Sequence, residues 1–371
     1  MEEKKNYIDK IKGAFHGMGN NVKDKYISFT ALPSSDKKRK IADTLLNNAM
    51  FIMIILAVVV IAILKPRFLS TASIINIISL TAARLPIALG IAGAIVLTGT
   101  DISAGRTVGL TACISAALLQ SSGYAAKIFP SLNPMPIISV IVAVMLTGAL
   151  IGLVNGFFVA KFKLHPFIVT LSTQLIIYGL VLLFLQIGTN GGQTLSGLDS
   201  SYLDFIAGPL FKVKGIAVPK YVLYSAVLTV IMWIIWNKTT FGKNMFATGS
   251  NEEAANVSGV NVFLTVIGVF VLAGIMYGIT GFIEAARIGS NSAATGLNYE
   301  LDAIAACVIG GVSFVGGIGK IRGVIMGVVL LRIIFVGLTF LGIDSNMQYV
   351  IKGLIILVAC AIDMRKYLVR K

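Results

Sequence analysis

Two apolar runs without a single charge, Leu223 to Trp236 and Phe263 to Ile279, flank a polar island at residues 242–262. Extended by a few residues at each end, such runs approach the roughly 20 consecutive apolar residues that carry one helix across a bilayer core. The composition agrees. Hydrophobic residues make up 56% of the 371 residues and charged residues 13%, against about 45–50% and about 25% in soluble domains. A chain this apolar cannot hide its surface in one soluble core. The spacing predicts an all-α polytopic membrane protein.

About ten spans are expected at that length, at 44–64, 71–98, 107–121, 136–160, 166–187, 221–237, 262–284, 301–315, 323–341 and 347–363. The second contains Arg84-Leu85-Pro86 and is expected to kink or re-enter there, and the third and eighth are short and bounded by glycines. Residues 1–43 read as a basic cytoplasmic leader ahead of a transmembrane domain over 44–371, too long and charged for a secretory signal. An even count puts both termini on one side. With the N-terminus inside, the inside segments hold the leader, Arg106, Lys161, Lys163, Lys238, Lys243, Lys320, Arg322, Arg365, Lys366, Arg370 and Lys371. The outside loops hold only Lys65, Arg67, Lys127, Lys212, Lys214 and Lys220. The positive-inside rule then favours N-in and C-in, with the loop 238–261 cytoplasmic and the loop 188–220 extracytoplasmic. The net charge of +15 is spread over these loops and tails, which excludes a nucleic-acid footprint.

A faint echo links two halves, 71–187 and 262–363. Gly148, Gly152 and Gly156 repeat every four residues in one, and Gly323 and Gly327 in the other. Gln174-Leu-Ile-Ile-Tyr-Gly-Leu is answered by Gln348-Tyr-Val-Ile-Lys-Gly-Leu. On the expected topology the halves are inverted-topology repeats, a transporter architecture with its pathway near mid-membrane. The glycine ladders, with Gly274/Gly278, read as faces where helices approach closely, or as faces that slide during gating.

No catalytic or metal-binding constellation is present. The histidines are His16 and His165, and Cys113, Cys307 and Cys360 lie singly in apolar segments. Gly310 to Lys320 imitates a phosphate loop but fails its pattern: Ile321 follows Gly319-Lys320 where Ser or Thr is needed, and Phe314 stands where the first glycine belongs. A tight turn is expected there, with no ATP binding by this chain. Arg332 lies deep in the ninth span without a sequence partner, and Lys352 nearer the outer end of the tenth is expected to snorkel. Acids sit at span ends, as with Asp101, Glu284, Glu300 and Asp302, an arrangement that disfavours an ion-coupled carrier. Asn76, Asn155, Gln174 and Asn298 are suited either to interhelical hydrogen bonds or to the hydroxyls of a neutral cargo. Together with Asp101, Glu300 and Arg332 they form the candidate pathway set.

Three stretches carry a family resemblance. Thr98-Gly-Thr-Asp-Ile-Ser-Ala-Gly-Arg-Thr-Val-Gly-Leu110 resembles a signature of sugar permeases in ribose/galactose-type ABC importers. Trp236 to Gly249, running on into Asn251-Glu-Glu-Ala-Ala-Asn-Val-Ser-Gly-Val-Asn-Val262, resembles their cytoplasmic coupling loop. Tyr299-Glu-Leu-Asp-Ala-Ile-Ala-Ala-Cys-Val-Ile-Gly-Gly-Val-Ser-Phe314 is the third match. The resemblance runs from about residue 44 to the C-terminus and leaves the leader without a counterpart. It implies a permease subunit in the inner membrane of a bacterium, paired with a second permease subunit as a homodimer. It further implies a cytoplasmic ATPase that holds ATP and magnesium, and an extracytoplasmic sugar-binding protein. Import would proceed by alternating access, with galactose or a methyl-galactoside as the first-choice cargo and ribose, a nucleoside or a branched-chain amino acid as alternatives. By the same resemblance Glu252, Glu253, Ala254, Ala255 and Gly259 would form the ATPase-coupling helix. The fuller importer motif continues with a Leu-Pro that is absent here.

Overall fold

The computed structural model describes residues 49–188 and 190–368; the leader expected over 1–43 lies outside the described residues. The chain runs α1 (Ala49–Leu64), a 3-10 turn (Pro66–Leu69), α2 (Thr71–Val96), α3 (Ala104–Leu118), α4 (Ile137–Phe162) and α5 (Pro166–Leu185). It continues through α6 (Ser200–Ala207), β1 (Pro209–Val213), β2 (Ile216–Pro219), α7 (Tyr221–Lys238), α8 (Thr240–Ser250) and α9 (Glu252–Val257). It closes with α10 (Val262–Ile288), α11 (Tyr299–Ile309), α12 (Ile321–Phe340) and α13 (Ser345–Leu368).

Each apolar run becomes a helix, but they are not equal. Among the described residues six are long and apolar enough to cross a membrane: α2, α4, α5, α7, α10 and α12. The runs expected to span at 107–121 and 301–315 form α3, of 15 residues, and α11, of 11. At 1.5 Å per residue these rise about 22 and about 16 Å, short of the roughly 30 Å hydrocarbon core. Both are largely buried inside the protein, and non-helical chain extends each of them, residues 97–103 leading into α3 and residues 289–298 into α11, irregular backbone that is tolerated at membrane depth when it is surrounded by protein.

The chain does not re-enter at Arg84-Leu85-Pro86: α2 runs as one helix through Pro86. Proline cannot donate to the carbonyl four residues back. The Ser225 hydroxyl of α7 donates to that carbonyl, Ala82 O, at 2.6 Å, so the helix continues without an orphaned acceptor.

The exception to the helical pattern lies in the loop 188–220. There β1 and β2 form an antiparallel hairpin in which Val213 pairs with Ile216. The two turn residues, Lys214 and Gly215, have φ of 49° and 82°, the positive values a tight two-residue hairpin turn requires. Before it, α6 is capped by Asp199, which accepts from Ser201 N at 2.9 Å. Buried Tyr202 of α6 donates its hydroxyl to Phe282 O, tying the loop to α10.

Helix α10 is the centre of the packing, against α4, α3 and α2, while α2 also packs against α12, α11 and α7. The α4–α10 contact is a meeting of backbones. A Cβ on Gly148 would stand 2.0 Å from Gly274 O, one on Gly152 2.1 Å from Phe270 O, and one on Gly278 2.3 Å from Val144 O. On α12, Gly323 and Gly327 meet Gly310 and Ala306 of α11 in the same manner. The ladders are therefore contact faces, where small residues allow an approach that branched side chains forbid.

Candidate functional site

The polar island folds into α8 and α9 and is capped at every end. Thr239 accepts from Gly242 N at 3.2 Å to start α8. Asn251 ends α8 and begins α9, its Oδ1 accepting from Ala254 N at 2.8 Å. Glu252 and Glu253 fill the first turn of α9, where the helix dipole favours acids. Gly259 closes it at φ 83°, with Gly259 N donating to Asn256 O and Val260 N to Ala255 O, each at 3.0 Å. That pair of bonds is the Schellman arrangement, and the apolar contact that accompanies it is present between Ala255 and Val260.

One face of α9 looks inward and the other outward. Ala255 is buried among Ala94, Ala160, Val262, Val266 and Phe270. Val257 is 90% exposed, and Glu252 and Glu253 are exposed beside it. Glu252 pairs with Lys163, whose left-handed backbone ends α4. Both members are open to solvent, at 63% and 51%, so the pair contributes little by itself. An open cavity of 630 Å³ lies between them and Asn256, Gly259, Asn261 and Phe263. A second of 430 Å³ runs behind it, past Leu97, His165, Gly249 and Asn251.

Besides these side-chain contacts, the island is seated on both halves of the chain by close backbone approach. A Cβ on Gly249 would stand 1.9 Å from Val96 O at the end of α2, and Gly317 N donates to that same carbonyl at 2.9 Å. A Cβ on Gly316 would stand 2.2 Å from Gly249 O, and one on Gly317 2.8 Å from Ser250 Cα. The segment that imitates a phosphate loop is thus a turn. Gly311, Gly316 and Gly317 hold φ of 81°, 90° and 65°, and the turn is wedged between α8 and α2. Sequence reasoning found the turn and missed its seat; the signal was the density of glycine in both segments.

The candidate pathway residues do not form one cluster. Asp101 and Asn155 come together at the α2–α3 connection: Asp101 Oδ1 accepts from Ser103 N at 3.0 Å and from Ser103 Oγ at 2.6 Å. Asn155 donates to Ser103 Oγ at 3.0 Å and accepts from Thr173 Oγ1 at 2.6 Å. Glu300 is buried against the first turn of α3, at the place a Cβ of Gly105 would fill. Asn298, in the left-handed region at φ 61°, leads into α11. The N-terminal ends of the two short helices therefore face each other. Asn76 is exposed on α2, and Gln174 is half-buried on α5, apart from this group.

Arg332 is not alone. Its guanidinium donates to Asp302 at 2.8 Å, and Lys352 reaches the same carboxylate at 2.6 Å in place of the expected snorkelling. Nearby, Arg287 grips Glu284 at 2.7 Å, Tyr299 donates to Glu284 at 3.2 Å, and Arg84 covers the Tyr299 ring. Only the Glu284–Arg287 pair was visible in sequence, by its spacing of three. The others join separate helices.

A family model for the branched-chain amino acid transport system permease component matches residues 73–360. The galactose/methyl galactoside import permease protein of Haemophilus influenzae is 44% identical over 91% of this chain and 100% of its own length. That of Escherichia coli K12 is also 44% identical, over the same shares. The ribose import permease protein of Bacillus subtilis is 34% identical over 85% of this chain and 92% of its own. No solved structure matches the chain.

Proposed function

Because the chain belongs to the family of branched-chain amino acid transport system permease components, we propose that it is the membrane subunit of an ATP-driven importer for galactose or methyl galactoside. As a permease subunit of an ABC system it is a multi-pass membrane protein and not itself an enzyme. The observation that carries the choice of cargo is the contrast in identity, 44% to galactoside permeases against 34% or less to ribose permeases.

Residues Glu252, Glu253, Ala254, Ala255 and Gly259 are the grip for a cytoplasmic ATPase. Support comes from the two-faced character of α9: acids and Val257 outward, Ala255 inward. Push on α9 passes through the Schellman turn into α10, and through Gly249 into the ends of α2 and α12. Nothing in that path relies on a long flexible side chain.

The domain over 44–371 reads as two inverted repeats, 71–187 and 262–363. Both follow the order long, short, long, long: α2, α3, α4, α5 and α10, α11, α12, α13. Each first helix packs on the other half, α10 on α3 and α4, and α2 on α11 and α12. That exchange suits two halves moving against each other around facing short-helix ends. Asp101 and Asn155 fix one connection at this axis, with Glu300 and Asn298 on the other. Asn76, Gln174 and Arg332 complete the proposed pathway set. Both termini lie in the cytoplasm, a homodimer forms in the inner membrane, and a sugar-binding protein docks outside. ATP and loaded binding protein drive transport by binding the two access states unequally.

The test is reconstitution in liposomes with a galactoside-importer ATPase and its binding protein. Galactose-stimulated ATP hydrolysis that needs all three components is the expected result. Galactose uptake driven by an ion gradient without ATPase would refute the reading.

A further inference from the structure

Between α11, α12 and α13 lies a cavity of 260 Å³ lined by Asp302, Arg332, Phe335, Gln348, Tyr349 and Lys352. Its chemistry is unusual for membrane depth. One carboxylate, Asp302, is shared by two cations, Arg332 at 2.8 Å and Lys352 at 2.6 Å. The Arg332 Nε is buried without a partner, and so is Nη1 of the neighbouring Arg84. Arg332 itself is only 9% exposed. Both cations also lie over one ring, Phe335, at 5.4 and 5.3 Å, and Lys352 lies 5.2 Å from the Tyr349 ring centre. Embedded charges are costly and mark pathways or cavities. Buried donors left unspent ask for an acceptor.

The set selects its ligand by elimination. A simple cation meets Arg332 and Lys352, and the place of a simple anion between them is already taken by Asp302. A neutral polyhydroxylated molecule uses both, because each hydroxyl donates one hydrogen bond and accepts others. Its C–H face has two aromatic rings to lie on, the usual mix of apolar wall and a few polar groups in small-molecule sites.

We propose that this cavity is a monosaccharide subsite carried by each chain. Asp302 accepts from a ring hydroxyl, Lys352 Nζ donates to a hydroxyl oxygen, and Phe335 and Tyr349 take the C–H face. Gln348 stands at the mouth as the group that reads the substituent. The subsite rests on the sugar-permease reading, and it assigns specificity to this chain as well as to the binding protein.

The experiment uses the full chain in lipid nanodiscs, with thermal unfolding followed at millimolar galactose, ribose and sucrose. Galactose is expected to raise the midpoint of the wild type and sucrose to leave it unchanged. Gln348→Ala and Tyr349→Ala, which spare the buried ion pairs, should each lose the galactose shift. In the reconstituted importer the same variants should change the ratio of galactose to methyl galactoside uptake about fivefold, the worth of one hydrogen bond. A merely structural role would slow both sugars alike. No shift in the wild type with either monosaccharide, or full shifts retained in both variants, would overturn the subsite. A wild-type shift without ATP-driven uptake would refute the transport reading and leave the subsite standing.

Discussion

The hydroxyl of Ser225 stands in for an amide proton that Pro86 does not have, donating to Ala82 O at 2.6 Å across the α2–α7 contact. Ser225→Ala should therefore leave a buried carbonyl unpaired and lower stability by about 1–3 kcal/mol. Thermal unfolding in detergent reads the loss. Pro86→Ala returns the missing N–H to the helix, so the double variant S225A/P86A should recover most of it. Equal losses in the single and double variants would show that Ser225 acts elsewhere.

The α4–α10 contact should tolerate no side chain. Gly148→Ala puts a Cβ 2.0 Å from Gly274 O, forcing the helices apart at about 1–3 kcal/mol of overpacking cost. Gly179 on α5 has nothing within 4 Å of its Cβ position, so Gly179→Ala is the control and should unfold with the wild type.

At the proposed grip, Glu253→Lys should abolish sugar-stimulated ATP hydrolysis while the chain still inserts and binds lipid normally. Lys163→Ala should do far less: its pair with Glu252 is solvent-exposed, and such pairs contribute about 0–1 kcal/mol. A Lys163→Ala variant as dead as Glu253→Lys would mean that the pair, rather than the outward acid, forms the contact.

Gly259→Ala tests the joint between α9 and α10. A side chain at φ 83° costs roughly 1–2 kcal/mol, yet nothing lies within 4 Å of the new Cβ. The expected phenotype is a chain that folds and binds ATPase but couples hydrolysis to uptake poorly, seen as a raised ratio of ATP consumed to sugar moved.

The shared carboxylate gives an ordered pair of outcomes. Asp302→Asn leaves two buried cations uncompensated, whereas Arg332→Gln leaves Asp302 still paired with Lys352. Removing one partner of a buried pair costs about 3–5 kcal/mol, so Asp302→Asn should lie at the top of that range and Arg332→Gln below it in denaturation midpoint.

Much of this was legible in the chain itself. Apolar run length located all six helices that are long and apolar enough to cross a membrane among the described residues, because a bilayer demands one helix per run. Run length says nothing about how much of a crossing is helix, however, and the runs at α3 and α11 form helices of only 15 and 11 residues. Pro86 advertised a disturbed helix, and a hydroxyl on another helix takes up the carbonyl that it leaves free. The caps of α9 could be anticipated from Asn251 and Gly259, whose chemistry is local. The partners of Arg332 and Lys352 could not, since Asp302 lies 30 residues from Arg332 and on another helix. The wedge of Gly316 and Gly317 against Gly249 was likewise hidden, because glycine announces room without naming its neighbour.

That wedge has no slack. Where Gly249 meets Val96 and Gly317 the touching atoms are main chain, so no rotamer there can turn to absorb a displacement, and a shift of α8 would appear at α2 and at the α11–α12 turn. The outward residues Glu252, Glu253 and Val257 take no part in that contact. On the proposed reading, the surface that chooses a motor and the bearing that carries its stroke are built from separate atoms, and one could be redesigned for a different ATPase while the other is left untouched.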